Sequence, residues 1–336
     1  MSLPVPEVAV LGAGSWGTVL AWLLCEKGVR VRLWARSEEM ARSLTEKGEN
    51  VKYLPNAVLK NATFTADLAE AVHDVKFIVV AVPGAATPEL AKTLCTLSIR
   101  DDAVLISGTK GLHPESGLRA SCIWAEAGWP LERYVALSGP NLAKEIADGV
   151  PTSSVVASQN QDAARVVQSL FNSLLFRVYT SSDLVGVELG GALKNVIAIA
   201  AGVGDGLGYG DNAKASLLTR GWREMTRLAV ALGARESTLY GLSGMGDLFA
   251  TCMSAHSRNH ALGVQLGKGE SLQQARATVV QTAEGVHTTR AALYLAREAG
   301  VELPVTQQVH AVLFEGKNAQ QAVVDLMQRQ GRDEDE

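Results

Sequence analysis

The stretch VAVLGAGSWGTVLAWLLCEKG, residues 8–28, constrains the fold more than any other part of the chain. A short apolar run leads directly into Gly12-x-Gly14-x-x-Gly17, and a helical pattern follows. Glycines at this spacing permit a tight turn, a close approach of the backbone to a pyrophosphate, and close packing of the helix on the strand. A merely structural turn is the alternative. The strand, turn and helix context favours a phosphate-binding turn, in which the amides that open the helix face the anion.

The first half of the chain alternates β-branched runs with helical patterns, which predicts an α/β fold. The predicted strands are Val8–Leu11, Val29–Trp34, Phe77–Val82, Ala103–Ser107, Tyr134–Leu137, Ser153–Ala157 and Phe176–Tyr179. The predicted helices between them are Thr18–Lys27, Glu38–Lys47, Pro88–Leu97 and Ala163–Leu174. Because the strands are apolar throughout, we expect a Rossmann-type doubly wound, mostly parallel sheet that is covered by helices on both faces.

Beyond about residue 182 the strand signal fades and long helical patterns take its place. They are Leu184–Val203, Ala213–Leu232, Ala283–Ala299 and one near Ala319–Met327. This change of pattern predicts a dinucleotide-binding domain over residues 1–182 and an all-helical substrate-binding and catalytic domain over residues 183–330. The acidic end RQGRDEDE predicts a disordered tail over residues 331–336.

Charge and cysteine content exclude several classes of protein. The net charge of −4 gives no basic excess for nucleic-acid binding. The four cysteines are scattered without a C-x-x-C pair, which favours reduced thiols in a cytoplasmic protein over disulfides or a zinc site. The N-terminus lacks a basic segment followed by a long apolar run, so we expect no signal peptide. Charged residues at 188, 194 and 205 make the most apolar later stretch too polar for a membrane span.

The histidines do not predict a metal site. His256 and His260 are four residues apart, but they stand in a stretch flanked by serine and arginine. That setting predicts a solvated loop rather than a pair of metal ligands on one helix. We therefore expect no metal.

The end of the second predicted strand indicates which dinucleotide is used. An NAD-selective site usually has Asp or Glu there, about 20 residues after the glycines, to hold the ribose 2′-hydroxyl. This strand instead ends at Arg36, whose guanidinium suits a 2′-phosphate. The alternative is that Arg36 is solvated and that Glu38 or Glu39 bends back to the ribose. We expect NADPH to be preferred, with NADH also accepted.

Lys194 stands in ELGGALKNVIAIAAG, a segment that is otherwise built to be buried. A buried charge without a partner is costly, so the ammonium either snorkels to the surface, with Glu188 as its candidate partner, or takes part in proton transfer. Gly190 and Gly191 just upstream would let substrate and cofactor approach the helix closely. Cys252 lies in another polar cluster without an obvious base, and we interpret it as a packing residue.

Seven motifs occur together in the order and approximate spacing of one family. They are GAGSWGT, GTKG, SGPNLAKE, ELGGALKNVIAIAAGVGDGLG, NAKASLLTRG, GLSGMGDL and SRN. From about Val8 to about Gly316 the chain resembles the NAD(P)-dependent glycerol-3-phosphate dehydrogenases of the bacterial type. The resemblance implies a homodimeric enzyme that interconverts dihydroxyacetone phosphate and sn-glycerol 3-phosphate for glycerophospholipid biosynthesis. Lys194 matches the general acid/base of that family.

The resemblance also implies the residues of the site. The catalytic set is Lys194, Asn195, Lys110, Asp247 and Thr251. The substrate-binding set is Lys110, Gly139, Asn141, Lys194, Asp247, Ser257, Arg258 and Asn259. The cofactor-binding set is Gly12, Gly14, Ser15, Trp16, Gly17, Arg36, Tyr53, Lys110, Ala143, Arg258, Thr282 and Glu284. Asn141 stands where the family commonly has Thr or Ser, and Thr282 stands at an often aliphatic position, which leaves the fine geometry of the substrate loop and the nicotinamide edge open.

Two other functions are compatible with part of this sequence. A β-hydroxyacid or 6-phosphogluconate-type dehydrogenase shares the fold plan and a catalytic lysine on the first helix after the sheet. The SRN and GLSGMGD segments are not expected in that group. A dinucleotide-sensing protein that has lost turnover is the alternative from another class, and the presence together of Lys110, Lys194, Asp247 and Arg258 argues against it.

Overall fold

A computed structural model describes residues 7–279, 283–331 and 333–334 of the 336-residue chain. Its strands are β1 Glu7–Leu11, β2 Arg30–Trp34, β3 Glu49–Asn50, β4 Leu54–Val58, β5 Ala62–Thr65, β6 Phe77–Val80, β7 Val104–Ser107, β8 Tyr134–Ser138, β9 Thr152–Ala157 and β10 Phe176–Ser181. The helices of the first half are α1 Ser15–Glu26, α2 Glu38–Lys47, α3 Leu68–Val72, α4 Thr87–Leu94, α5 Ala120–Glu126, α6 Ala143–Ala147 and α7 Gln161–Phe171.

The second half is helical throughout the part that is described. Its helices are α8 Leu184–Gly206, α9 Asp211–Ala231, α10 Glu236–Leu239, α11 Asp247–Met253, α12 Arg258–Gly267, α13 Leu272–Thr278, α14 Gly285–Ala299, α15 Pro304–Phe314 and α16 Ala319–Met327. A π-helical turn, Leu242–Gly246, leads directly into α11. The four predicted helices of this half are observed, whereas α10–α13 and α15 were not predicted.

The main sheet has eight strands in the order β10-β9-β8-β7-β6-β1-β2-β5. Every neighbouring pair is parallel except β8 and β9, so the last two strands run opposite to the rest. The predicted α/β fold with a doubly wound, mostly parallel sheet is confirmed, and all seven predicted strands belong to this sheet. The short β3–β4 ribbon and the edge strand β5 were not predicted, because residues 49–65 are polar and half exposed.

Two apolar cores enclose the sheet, one on each face. Strand β1 shows the alternation, since Val8 and Val10 belong to one core and Ala9 and Leu11 to the other. Helices α1, α2, α6 and α7 cover the first face, and α3, α4 and α5 cover the second. Strands buried on both faces need continuous apolar sequence, which is what made them recognisable.

Helix α8 follows the sheet directly and forms the centre of the helical half. The last strand ends at Ser181, and the Asp183 carboxylate caps α8 by accepting a hydrogen bond of 2.9 Å from the Gly186 amide. By length and composition alone α8 could span a membrane, so the expectation that its charges make it too polar was wrong. However, 83% of its most apolar window is buried by the rest of the protein, which is typical of a core helix. The domain limits 1–182 and 183–330 stay a prediction.

The disordered tail over 331–336 also stays a prediction. Within the described part of the tail, the Glu334 carboxylate pairs with the Arg220 guanidinium at 2.9 Å. Both of these side chains are largely exposed, so the pair contributes little to stability.

Glu224 fixes the start of α15 from a position 81 residues earlier in the chain. Its buried carboxylate accepts hydrogen bonds from the Val305 amide (2.5 Å) and from the Thr306 amide (3.2 Å). These amides open the first turn of the helix and have no partner within it. Burial raises the pKa of Glu224 to about 7, although these hydrogen bonds oppose the shift.

We expect Glu224→Gln to change how stability depends on pH. The folded-state pKa lies above the ordinary value of 4.5, so the folded protein binds the proton more tightly and loses stability as pH rises from 4.5 to about 7. The variant lacks this loss, so between about pH 5 and pH 7 its unfolding free energy should rise by about 2 kcal/mol relative to that of the wild type. Thermal unfolding at both pH values measures the effect, and a constant difference would contradict it.

Candidate active site

The glycine turn has the geometry that the motif predicts. Gly12 has φ +114°, in the region that favours glycine, and a Cβ at Gly17 would lie 1.9 Å from the Gly12 carbonyl oxygen. A Cβ at Gly14 would meet no described protein atom within 4 Å, so the missing side chain leaves open space in front of the α1 N-terminus. This cradle and the amides of the first helical turn fit a pyrophosphate.

Asn50 holds this turn in place, and sequence reasoning missed it. Its buried amide donates hydrogen bonds to the Ala13 carbonyl (2.9 Å) and to the Thr18 hydroxyl (2.7 Å). Ser15 adds a link to the same ribbon, because its hydroxyl donates to the Tyr53 carbonyl at 2.8 Å. The β3–β4 ribbon therefore brings Tyr53 beside the start of α1, where a cofactor contact was predicted.

Other predicted cofactor residues lie at the rim of the same edge of the sheet. Arg36 is exposed two residues after the end of β2. Ala143 begins α6 and packs against the core on the α1 side. Trp16, in the first turn of α1, lies against the Lys110 ammonium at 5.8 Å from its ring centroid. That contact joins the dinucleotide turn to the loop that follows β7.

A buried cluster of four polar side chains lies at this point. The Lys194 ammonium donates to Asp247 Oδ1 at 2.8 Å and to the Thr251 hydroxyl at 2.6 Å. Lys110 donates to the other Asp247 oxygen at 2.8 Å and to the Gly139 carbonyl at 2.7 Å. One carboxylate is thus shared by two ammonium groups. Lys194, Asp247 and Thr251 are 6%, 2% and 4% exposed, whereas the Lys110 side chain is 17% exposed.

The fold explains how residues so far apart in sequence meet. Lys110 follows the carboxyl end of β7, Gly139 follows β8, and Lys194 lies in the middle of α8. Asp247 begins α11 after the π-helical turn. Gly190 was expected to leave room for substrate and cofactor, but it faces the π-helical turn instead. A Cβ at Gly190 would lie 2.7 Å from the Ser243 carbonyl oxygen of that turn. It is Gly191 whose missing side chain faces Ser138 and Lys110.

Electrostatics in the cluster favour one anion between two cations. Burial lowers the pKa of Lys110 to about 8; Asp247 opposes this shift and the Lys194 ammonium adds to it. Burial disfavours the charged form of Asp247, but the two lysines hold its pKa below the ordinary value. Burial raises the pKa of Cys252 to about 12, which agrees with a packing role.

Glu188 is not the partner of Lys194. Its carboxylate accepts hydrogen bonds from Arg119 (2.6 Å), from the Ser121 amide (2.8 Å) and from the Tyr134 hydroxyl (2.8 Å). Those groups belong to the sheet half of the molecule and occupy the Glu188 oxygens. The snorkelling alternative for Lys194 is therefore wrong, since its ammonium is buried and paired with Asp247.

The SRN segment forms the start of a helix rather than a loop. Ser257 caps α12 by accepting a hydrogen bond of 3.2 Å from the His260 amide, and Arg258 is the exposed first residue of the helix. The prediction that His256 and His260 share a solvated loop was wrong, because His260 is 8% exposed within α12. The serine that caps a helix was the overlooked signal.

Asn195 and Asn259 form a buried amide chain instead of pointing at the lysine cluster. Asn259 Nδ2 donates to Asn195 Oδ1 at 2.9 Å, and Asn259 Oδ1 accepts from the Gly285 amide at 2.9 Å. This chain connects α8, α12 and the N-terminus of α14. Asn195 thus makes a contact that fixes α12 on α8, and its catalytic assignment stays a prediction.

Two of the remaining predicted residues contact the loops next to the cluster. Asn141 accepts a hydrogen bond of 2.9 Å from the Ser154 hydroxyl, next to Gly139. Glu284 accepts a hydrogen bond of 3.3 Å from the Gly84 amide, which joins α14 to the loop after β6. Thr282 lies outside the described residues. Among the described residues no three His, Cys, Asp or Glu side chains converge as metal ligands, and the expected absence of a metal stays a prediction.

Comparison with known proteins places this arrangement in a family. The model described as the NAD-dependent glycerol-3-phosphate dehydrogenase N-terminus matches residues 7–164, and the C-terminus model of the same name matches residues 183–324. The chain belongs to the NAD-dependent glycerol-3-phosphate dehydrogenase family. The predicted resemblance is thereby confirmed over both halves of the chain.

Individual members of the glycerol-3-phosphate dehydrogenase family are similar to this chain over nearly its full length. A glycerol-3-phosphate dehydrogenase [NAD(P)+] from Pelotomaculum thermopropionicum is 48% identical over 96% of this chain and 93% of its own. One from Moorella thermoacetica is 47% identical over 96% of each chain. The crystal structure of glycerol-3-phosphate dehydrogenase from Coxiella burnetii superposes with a TM-score of 0.92 at 38% identity, covering 97% of this chain and 100% of the other.

Proposed function

We infer that this protein is an NAD(P)-dependent sn-glycerol-3-phosphate dehydrogenase. It interconverts dihydroxyacetone phosphate and sn-glycerol 3-phosphate, and so supplies glycerol 3-phosphate for glycerophospholipid biosynthesis. The observation that carries this function is the buried Lys194–Asp247–Lys110 cluster beside the dinucleotide turn. Family membership supports the substrate, and the glycine cradle supports the cofactor.

The two lysines are placed to stabilise charge on a carbonyl oxygen. When bound, the nicotinamide supplies the hydride that reduces the ketone carbon. An ammonium has three N–H groups, and Lys194 makes two side-chain hydrogen bonds within the described residues, so one N–H can meet the substrate oxygen. We propose that Lys194 donates the proton that makes this oxygen a hydroxyl, and accepts it back in the oxidative direction. Asp247 and Thr251 hold the ammonium in position.

We assign the other predicted substrate and cofactor residues of the described chain to roles around this centre. Arg258, exposed at the start of α12, suits the substrate phosphate because its guanidinium is a permanently charged fork. A contact to that remote phosphate orients the carbonyl and contributes binding energy to the reaction. Ser257 and Asn259 place Arg258 through the cap and the amide chain. Lys110 is proposed to touch both substrate and cofactor, since it lies between Asp247 and Trp16.

A steady-state assay with each reduced cofactor tests the function. The purified chain should oxidise NADPH in the presence of dihydroxyacetone phosphate and form sn-glycerol 3-phosphate. Oxidation of 3-hydroxyisobutyrate or 6-phosphogluconate without glycerol 3-phosphate would favour the related dehydrogenase instead. Tight NADPH binding with no turnover of dihydroxyacetone phosphate would favour a sensing protein.

We propose a preference for NADPH, and Arg36→Glu tests it. Loss of a charge-assisted contact to the 2′-phosphate should raise the KM for NADPH about 10- to 100-fold while the KM for NADH changes about threefold or less. Arg42→Glu, an exposed arginine on α2 with the same change of charge, is the matched control and should leave both values unchanged. An equal rise in KM for both cofactors would contradict the proposal that Arg36 binds the 2′-phosphate.

We further propose that the enzyme is a cytoplasmic homodimer. The family resemblance supports the dimer, and the four free cysteines support a reducing compartment. Sedimentation of the purified protein tests the oligomeric state and should show a dimer. A monomer at assay concentration would contradict the proposal.

A further inference from the structure

Helices α8 and α12 cross with their backbones in direct contact. A Cβ at Gly202 would lie 2.1 Å from the His260 carbonyl oxygen, and one at Gly263 would lie 2.1 Å from the Ile199 carbonyl oxygen. One turn further along each helix, Gly206 and Gly267 make contacts of the same kind. Only glycine fits at such distances, because any larger side chain would force the two helices apart.

The side chain of His260 is held at the same crossing point. Its Nε2 lies 2.8 Å from Asp205 Oδ2, and the Lys214 ammonium donates to the same oxygen at 2.8 Å. Desolvation disfavours the charged carboxylate, but the hydrogen bonds from Lys214 and His260 hold the pKa of Asp205 below its ordinary value. A neutral imidazole needs its proton on Nε2 to donate to this carboxylate.

His260 is therefore anchored to α8 through both its main chain and its ring. Helix residues are rotated by about 100° from one to the next, so a turn of α12 about its axis would move Arg258 and Asn259 together with His260. The ring contact to Asp205 lies off the helix axis and resists such a turn. The amide chain from Asn259 to Asn195 and to the Gly285 amide also resists it.

We propose that His260, held by Asp205 and Lys214, is a positioning residue that sets Arg258 against the phosphate of the substrate. This inference rests on the proposed function. His260 does not touch the reacting atoms, so its loss should affect recognition of the phosphate rather than proton transfer at Lys194. The expected signature is a defect that depends on whether the substrate carries a phosphate.

His260→Ala tests this inference with two substrates. The KM for dihydroxyacetone phosphate should rise about 10-fold or more, while kcat and the affinity for NADPH stay within about threefold of the wild type. The kcat/KM for dihydroxyacetone, which lacks the phosphate, should change about twofold or less, because Arg258 contributes nothing to it. His260→Gln keeps a side-chain N–H donor and should restore the KM to within about threefold.

A second variant keeps the test decisive if the first does not fold. Asp205→Ala should produce the same selective rise in KM, and where His260→Ala folds, the double variant should be no worse than either single variant. His256→Ala, an exposed histidine just before α12, is the matched control and should behave as the wild type. An unchanged KM, or an equal loss with both substrates, would overturn the inference. An inactive wild type would instead contradict the proposed function.

Discussion

Replacement of Lys194 by methionine should lower kcat for dihydroxyacetone phosphate by about 10²- to 10⁴-fold, the usual contribution of general acid–base catalysis. Methionine fills a similar volume but has no proton to give, and Asp247 keeps Lys110 as its partner. The fold should therefore tolerate the change. Turnover measured with saturating NADPH and substrate gives the result.

The affinity of Lys194→Met for NADPH distinguishes a loss of proton transfer from a general disruption of the site. Fluorescence titration of Lys194→Met should give a dissociation constant within about threefold of the wild type, because the glycine turn lies between β1 and α1 and not on α8. Lys268→Met, which replaces an exposed lysine after α12, is the matched control and should retain full turnover. Unchanged turnover in Lys194→Met would refute its role as the proton donor.

Replacement of Asp247 by asparagine should damage both stability and activity. The carboxylate is the one anion that the structure shows between two buried or half-buried ammonium groups. Removing one partner of a buried ion pair typically costs about 3–5 kcal/mol, because the remaining charge is left uncompensated. Without the attraction of Asp247 the pKa of Lys110 should fall below its present value of about 8, so that a larger fraction of this lysine is uncharged at neutral pH.

The pH dependence of this effect has a definite sign. Asp247 has a folded-state pKa below the ordinary value of 3.8, so its contribution to stability is present above that pH and is lost as pH falls through the folded-state pKa. The unfolding free energies of wild type and Asp247→Asn should converge toward acid. Denaturant unfolding over a pH series measures this, with Asp211→Asn, an exposed aspartate at the start of α9, as the control. A difference that widens toward acid would contradict the assignment.

Local patterns predicted the parts of the site that depend on neighbours in sequence. The glycine turn was recognisable because strand, turn and helix lie within twenty residues, and Lys194 because a charge interrupts an apolar helix. The four helices predicted for the second half follow from long apolar periodicity. Helices as short as α10, α11 and α13 carry too few turns for such a pattern.

Contacts between distant residues could not be predicted from one sequence. Asn50 reaches Ala13 across 37 positions, Glu224 reaches Val305 across 81, and His260 reaches Asp205 across 55. Each of these side chains is an ordinary polar residue in its own segment, and only the fold supplies its partner. The position of Gly190 against the π-helical turn was misjudged for the same reason, because nothing near it in sequence announces the Ser243 carbonyl.

Chemical rescue tests the role of the Lys194 amine most directly. In Lys194→Ala, added primary amines should restore part of the turnover, and the rate should depend on the amine pKa as in general acid catalysis. Propanol, of similar size but without an ionisable amine, should restore nothing. Wild-type turnover in Lys194→Ala, or equal rescue by propanol, would show that no proton passes through an amine at this position.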